Sequence, residues 1–440
     1  MKLLEEANKK ATSAEVYVIE SQSLPVKFTA GELESVKSYE TSGAALRVIN
    51  DGRLGFSTTT DLADAEEIVD RALETATIGE EVGFNFPGPQ ETTTAETFDR
   101  NTARLSPQRL MEMGNGLIDE VTDFDSELDV NVSLQRSSDQ VRIANSNGVE
   151  LSEKRSSISV SIDVKQVGKE DIFSFSDSCQ AASLDKLDVS GLLERVKQRL
   201  KWAELQKTIT TGRYPVIFTP RGLIVLLLPL LTSFNGMNVY QGTSRLGDKI
   251  GEEVVDSRLS LLDGGVFPDS PFNRNFDDEG IPTFEKKLIE DGVVKNFLYD
   301  VRSAHLAGEK PTGNGTKGGM IGGSDFRSLP DPAPINLVIP PGERSFGKMI
   351  SDIDRGLLVD QVLGLGQGNV LSGEFSNNVS VAYCIEDGAI SGRVKNTMIT
   401  GNIFNLLQDN LVLAGQTEWV GGDLKGPAIA VDGVSVVQKD

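Results

Sequence analysis

Apolar positions in the first half of the chain follow two alternating periods. Residues 3–13 carry a helical spacing that predicts a short amphipathic helix, and Glu15–Glu20 follows as a strand. Further strands are expected around Thr29–Glu40 and Ala44–Ile49, and Asn50-Asp51-Gly52 turns the chain into Arg53–Ser57. Asp61 reads as the N-cap of a helix over 62–77, with Ile68, Val69, Ala72, Leu73 and Ala76 on one face. Residues 79–104 lack a period, are rich in Gly, Pro and Thr, and read as a loop. Ser106-Pro107 pairs a cap with Pro at the first helical position and starts a helix toward Asp123. Strand alternation then runs through Leu128, Val130, Val132 and Leu134, through Val141 and Ile143, and through Ile158, Val160, Ile162 and Val164. Asn147-Gly148 between these runs is a hairpin turn. A helix over 190–204 carries Leu192, Leu193, Val196, Leu200 and Trp202, and Gln206–Arg213 is the expected boundary.

The second half changes character. After an apolar strand and helix over 216–234 it becomes Gly-rich, with short strands and turns at Glu290-Asp291-Gly292, Ile385-Glu386-Asp387-Gly388 and Val431-Asp432-Gly433. The expected fold class is α+β, with an N-terminal α+β domain over 1–205 and a β-rich C-terminal domain over 212–440. No fixed-period repeat is visible.

Charge narrows the functions. With 43 Lys+Arg against 65 Asp+Glu the net charge is −22, which disfavours direct nucleic-acid binding. His305 is the only histidine, so a two-histidine zinc site cannot form within one chain. Two cysteines, Cys179 and Cys384, read as buried thiols rather than a bridge. The N-terminus has no secretory apolar core, and the run Leu223–Leu231, interrupted by Pro229, is too short for a membrane span. The expectation is a soluble cytoplasmic protein.

Individual motifs are weak. Gly364-Leu-Gly-Gln-Gly-Asn369 lacks the following helix of a dinucleotide site and reads as a tight turn. Pro311–Gly319 holds a Lys among glycines without phosphate-loop spacing. Asp277-Asp278-Glu279-Gly280 could gather a divalent cation or do acid–base work, against the commoner fate of a solvated acidic turn. His305 reads as a structural histidine with its hydrogen bonds satisfied, and Cys384 as a buried strand thiol. From the residues alone no catalytic constellation emerges.

An ordered set of segments does resemble a known family, TldD/PmbA, whose members are known as modulators of DNA gyrase and as metallopeptidases. The segments are Phe28–Val36, Gly43–Val48, Asp51–Ser57, Asn145-Ser-Asn-Gly148, Phe276-Asp-Asp-Glu-Gly-Ile-Pro-Thr283, Leu288–Val293, Leu365–Asn369, Ser372–Ser376, Ile385–Gly388 and Thr400-Gly-Asn402. They look most like the PmbA (TldE) branch. The resemblance implies that TldD-type members hold a metal through an H-E-x-x-x-H helix and a later Cys, and that PmbA-type members lack these and pair with TldD-type subunits. Aligned on the apolar run, the two His positions fall at Pro229 and Phe234 and the Glu position at Leu230, none of which can ligate a metal or move a proton. It therefore implies a non-catalytic subunit without a cofactor of its own. Zinc would sit in a TldD-like partner, a cleft shared with that partner would take peptide substrate, and microcin-like peptides would be matured there. Homodimerisation is a further option. Asp278, Glu279, Gly313 and Asn314 are the groove-lining candidates the signatures imply. Two alternatives stay open: a self-sufficient hydrolase using Asp277, Asp278 and Glu279 around a hard cation, and a gyrase-modulating protein without proteolysis.

Overall fold

The computed structural model describes residues 1–168, 171–318 and 326–439. The first half is helix α1 (Lys2–Lys10), strands β1 (Ser13–Thr29), β2 (Glu32–Val36), β3 (Tyr39–Asn50) and β4 (Arg53–Thr59), helices α2 (Ala65–Thr77), α3 (Arg100–Ala103) and α4 (Pro107–Thr122), strands β5 (Leu128–Asn145), β6 (Glu150–Val167) and β7 (Ile172–Ala181), and helix α5 (Val189–Trp202). The strands form a 7-stranded sheet in the order β4-β3-β1-β5-β6-β7, with β2 paired to β1. Every pairing in it is antiparallel.

The second half contains β8 (Gln206–Lys207), β9 (Gly212–Phe218), α6 (Ile224–Phe234), α7 (Gly236–Tyr240), β10 (Leu261–Asp263), β11 (Lys286–Glu290), β12 (Val293–Val294), α8 (Val301–Ala307), β13 (Gly315–Lys317), β14 (Pro330–Pro332), β15 (Leu337–Val338) and α9 (Phe346–Ser351). It continues with β16 (Arg355–Leu363), β17 (Glu374–Glu386), β18 (Ala389–Val394), β19 (Thr397–Asn402), α10 (Ile403–Leu406), β20 (Val412–Val420) and β21 (Leu424–Gln438). These build a 12-stranded mixed sheet, with β13 and β14 as a separate ribbon. The architecture is α+β.

The strand alternation shows which face each sheet buries. In β1, Val16 and Val18 face a cluster with Ala44, Leu46 and Val48 of β3 and Ile68, Val69 and Ala72 of α2. Farther along the strands, the same face of this sheet carries Val26, Val132, Val160 and Phe175. It shares one apolar cluster with Leu192 and Val196 of α5 and with Ile217, Leu358, Val381 and Tyr383 of the second sheet. The two sheets are therefore cemented by a common core around α4 and α5. Complete burial of Leu192 and Val196 contributes about 1.5–3 kcal/mol each relative to exposure. The other face of the second sheet packs on α6.

Several sequence expectations shift in register. Asp64, not Asp61, caps α2 by accepting from Glu67 N at 3.0 Å, because the Asp61 carboxylate is used one turn earlier by Ala63 N. The loop over 79–104 contains the short helix α3, capped by Asp99. Asp291-Gly292 and Asp387-Gly388 are hairpin turns with both residues at positive φ. Val431-Asp432-Gly433 is instead a bulge inside β21, where the pairing with β9 slips between Val431 and Val434. Among the described residues no helix is long and apolar enough to cross a membrane.

Candidate functional site

Glu15 and Arg47 are directly opposed across β1 and β3, on the face turned away from α2. Arg47 Nη2 donates to Glu15 Oε1 at 2.6 Å, and Arg47 Nη1 donates to Glu279 Oε1 at 2.8 Å. All three side chains are buried. One arginine therefore clamps the first sheet to the turn Asp277–Gly280 of the second half, and no charge in the clamp reaches water.

That turn is the acidic cluster expected to be solvated, and here the structure corrects the expectation. Asp277, Asp278 and Glu279 are 0–1% exposed. Most of their oxygens accept hydrogen bonds from the protein. Asp277 Oδ1 accepts from Glu279 N and Ile281 N at 2.9 Å each, and its Oδ2 accepts from Gly315 N at 2.9 Å. Asp278 Oδ2 accepts from Lys317 N at 2.8 Å, and Glu279 Oε2 accepts from Val301 N at 2.7 Å at the start of α8. The turn is docked along β13 and under α8, and Gly315 is needed there because a Cβ would lie 2.3 Å from Glu279 Oε2. Among the described residues, no three His, Cys, Asp or Glu side chains are grouped to hold a metal ion.

Burial shifts the proton affinities of this layer in both directions. Burial, then the Glu279 charge, pushes Asp277 well above the usual carboxylate range and Asp300, the cap of α8, up to about 7. Burial also raises Glu15 against the pull of Arg47. Burial, then the Arg47 charge, lowers Lys317 to about 8, while its Nζ lies over the rings of Tyr17 and Phe56 at 5.4 and 5.3 Å. A second layer adjoins it. Asp263 accepts from Lys286 Nζ at 3.1 Å, Asn314 Nδ2 at 2.8 Å and Ile335 N at 2.7 Å.

The four groove candidates all belong to these layers. Asp278, Glu279, Gly313 and Asn314 are buried, and Gly313, at φ +72°, packs with its Cα against the Pro282 carbonyl. A cavity of about 360 Å³ nearby is lined by Arg155, Arg274, Thr316 and Lys317 together with residues of the first sheet, and by none of the four candidates. Arg155, Arg274, Glu15 and Arg47 were not anticipated from sequence. Strand alternation places Glu15 and Arg47 on the face opposite the α2 cluster, but nothing local announces their partner at Glu279. The remaining candidates separate widely. His305 is exposed on α8, its ring packed against Phe84. Cys384 is a buried free thiol of β17, as expected, and Cys179 a partly buried free one. Gly364, Gly366 and Gly368 all take positive φ in a turn. Pro229, Leu230 and Phe234 are buried in α6.

Two sheets sharing one core through α5, with an apolar α6 behind the second, make this a two-sheet α+β protein. TldE from Thermococcus kodakarensis superposes with a TM-score of 0.91 at 25% identity, covering 99% of both chains. A candidate modulator of a DNA gyrase from Thermotoga maritima superposes at 0.87 with 26% identity, covering 99% and 98%. The chain belongs to the PmbA/TldA metallopeptidase family: domain 1 matches residues 14–76, the central domain 100–204 and the C-terminal domain 211–438. An uncharacterized protein of Methanocaldococcus jannaschii is 27% identical over 439 residues, 98% of each chain. A metalloprotease TldD homolog of Buchnera aphidicola is 28% identical over 318 residues, 68% of this chain and 61% of the relative.

Proposed function

We propose that this chain is the non-catalytic, TldE-type subunit of a cytoplasmic two-subunit metallopeptidase that processes unfolded or small peptides, with zinc held by a TldD-like partner. The observation that carries this reading is the chemistry of α6. At the positions where the family resemblance sets two metal ligands and a general base stand Pro229, Phe234 and Leu230, and all three are buried. Their side chains offer no lone pair to a metal and no titratable proton. The single histidine, His305, lies on α8 rather than on this helix. These residues do not fit a zinc centre, so the hydrolytic step is assigned to the partner, and this chain contributes a wall of the shared cleft. The fold match to the Thermococcus TldE supports the same division of labour.

The test is co-expression with an H-E-x-x-x-H family member. The expected result is a stable complex with about one zinc per heterodimer and chelator-sensitive cleavage of unfolded casein, while this chain alone neither retains zinc nor cleaves. Stoichiometric zinc and cleavage by this chain alone would overturn the proposal and restore a self-sufficient hydrolase. A binding role toward gyrase is the second reading, favoured by the Thermotoga structural relative. A pull-down that returns gyrase without a TldD-like protein would select it.

A further inference from the structure

The cavity of about 360 Å³ lies where β5 and β6 of the first sheet face the segments 271–274 and 334–337 of the second half. Two guanidinium groups line it, and both hold buried N–H groups in reserve. Arg155 Nε donates to Glu153 Oε2 at 2.6 Å, but Arg155 Nη2 is buried and has no acceptor among the described residues. Arg274 Nη1 stands 3.6 Å from Asp278 Oδ1, beyond hydrogen-bond reach. Arg274 Nε and Nη1 are both buried without an acceptor among the described residues. A buried donor left unmade carries a desolvation penalty, and charged donors carry the largest.

Oxygens of two neighbouring carboxylates are engaged by other donors. Glu153 Oε1 accepts from Asn275 N and Nδ2, and Asp278 Oδ2 accepts from Lys317 N. Asp139 and Asp423 also line the cavity, and burial pushes both carboxyls up. Thr97, Ser156 and Ser157 add hydroxyls, while Ile19, Phe272 and Ile335 supply an apolar wall. The space therefore offers fork-shaped charged donors on one side and a hydrocarbon surface on the other. A guanidinium fork matches the two oxygens of a carboxylate.

We infer that this cavity is a carboxylate-binding site for an anion carrying an apolar group, with Arg155 and Arg274 as its donors. A peptide with an apolar end is the carrier that suits both walls, and its carboxylate is either the C-terminus or an acidic side chain. Only the choice of a peptide rests on the proposed peptidase role; the site itself consists of this chain's own residues.

The experiment measures binding to the isolated full-length chain by titration calorimetry, with no activity readout. Three versions of one N-acetylated apolar tetrapeptide are compared: the free acid, the C-terminal amide, and the amide carrying Glu at the last position. Free acid binding above its amide identifies a C-terminal carboxylate; Glu-amide binding above the plain amide identifies a side-chain carboxylate. Either supports the site. Arg274→Gln is expected to weaken the favoured peptide about tenfold and leave the plain amide unchanged, with Arg274→Lys recovering part of the loss. Should Arg274→Gln fail to fold, 3-phenylpropionate against 3-phenylpropionamide on the unmodified chain makes the same comparison. Equal affinity of acid and amide forms, or no binding of any at millimolar concentration, overturns the inference and leaves the zinc and casein results of the complex untouched.

Discussion

Arg199 of α5 donates from Nε and Nη2 to the two oxygens of Asp360 in β16, at 2.7 and 2.9 Å, and so locks the helix of the shared core to the second sheet. Both residues are buried, Thr219 Oγ1 adds a bond to Asp360 Oδ1 at 2.8 Å, and Arg199 also reaches Asp177 of β7. Removing one partner leaves the other charge buried and alone. Asp360→Ala is therefore expected to cost about 3–5 kcal/mol in urea unfolding. The Arg199→Leu, Asp360→Leu double variant should cost less than the sum of the two single changes. An additive cycle would show that the pair does not act as a unit.

Proton linkage gives an independent check on the ionic layer. Asp300 titrates at about 7 in the folded chain, above its unfolded value near about 4. A raised carboxyl favours the protonated folded state, so its contribution is fully present below about pH 4 and is lost as pH rises through 7. Asp360 has the opposite sign. Burial opposes its charge, but Arg199 holds it below the ordinary range, so its contribution is lost only on acidification below about pH 4. Between about pH 5 and 7 the falling term from Asp300 should stand alone among these two. Asn is an equally good cap, so Asp300→Asn should flatten the decline in urea midpoint over that window. Parallel pH profiles for the two proteins would refute the assignment.

Legibility in the sequence followed the range of the interaction. The Ser106-Pro107 start of α4, the α2 stripe and the Asn147-Gly148 hairpin are local, and each stands where its pattern put it. The capping box of α8, Asp300 with Ser303, ended by left-handed Gly308, was equally local and would have revealed that helix. The acidic turn at 277–279 reads as solvated in the sequence because its neutralising partner Arg47 lies 232 residues away from Glu279. In the same way, Asp177 and Asp360 look like ordinary strand residues until α5 brings Arg199 between them. Charge pairing across sheets leaves no periodicity to read.

Two glycines of α4 separate packing from propensity. A Cβ on Gly114 would lie 2.2 Å from the ring of Phe28, which is buried against this helix, whereas a Cβ on the exposed Gly116 would meet nothing within 4 Å. Gly116→Ala should stabilise the protein by about 0.4–1 kcal/mol through helix propensity and a less flexible unfolded chain. Gly114→Ala should destabilise by about 1–3 kcal/mol, because the core must shift to admit the methyl. Thermal midpoints moving in the same direction would mean that α4 does not seat on Phe28 as described.

Restoring ligand chemistry to α6 should break the fold rather than build a peptidase. Leu230 and Phe234 are 0% exposed, and Phe234 packs on Phe297 with ring centroids 6.0 Å apart. Leu226, Leu227 and Leu231 of the same helix are buried beside them in one cluster. Leu230→Glu would bury a carboxylate in this apolar surround, and its neighbours offer only hydrocarbon. Phe234→His would remove a large apolar side chain and leave imidazole nitrogens to be satisfied in its place. Pro229, at the remaining ligand position, cannot be recruited without a third change. The Leu230→Glu, Phe234→His pair is expected to lose more than about 3 kcal/mol of stability and to bind no stoichiometric zinc. Urea unfolding and metal content by mass spectrometry on the purified variant decide it. A folded double variant holding about one zinc per chain would mean that α6 still keeps a metal-binding geometry beneath its apolar side chains.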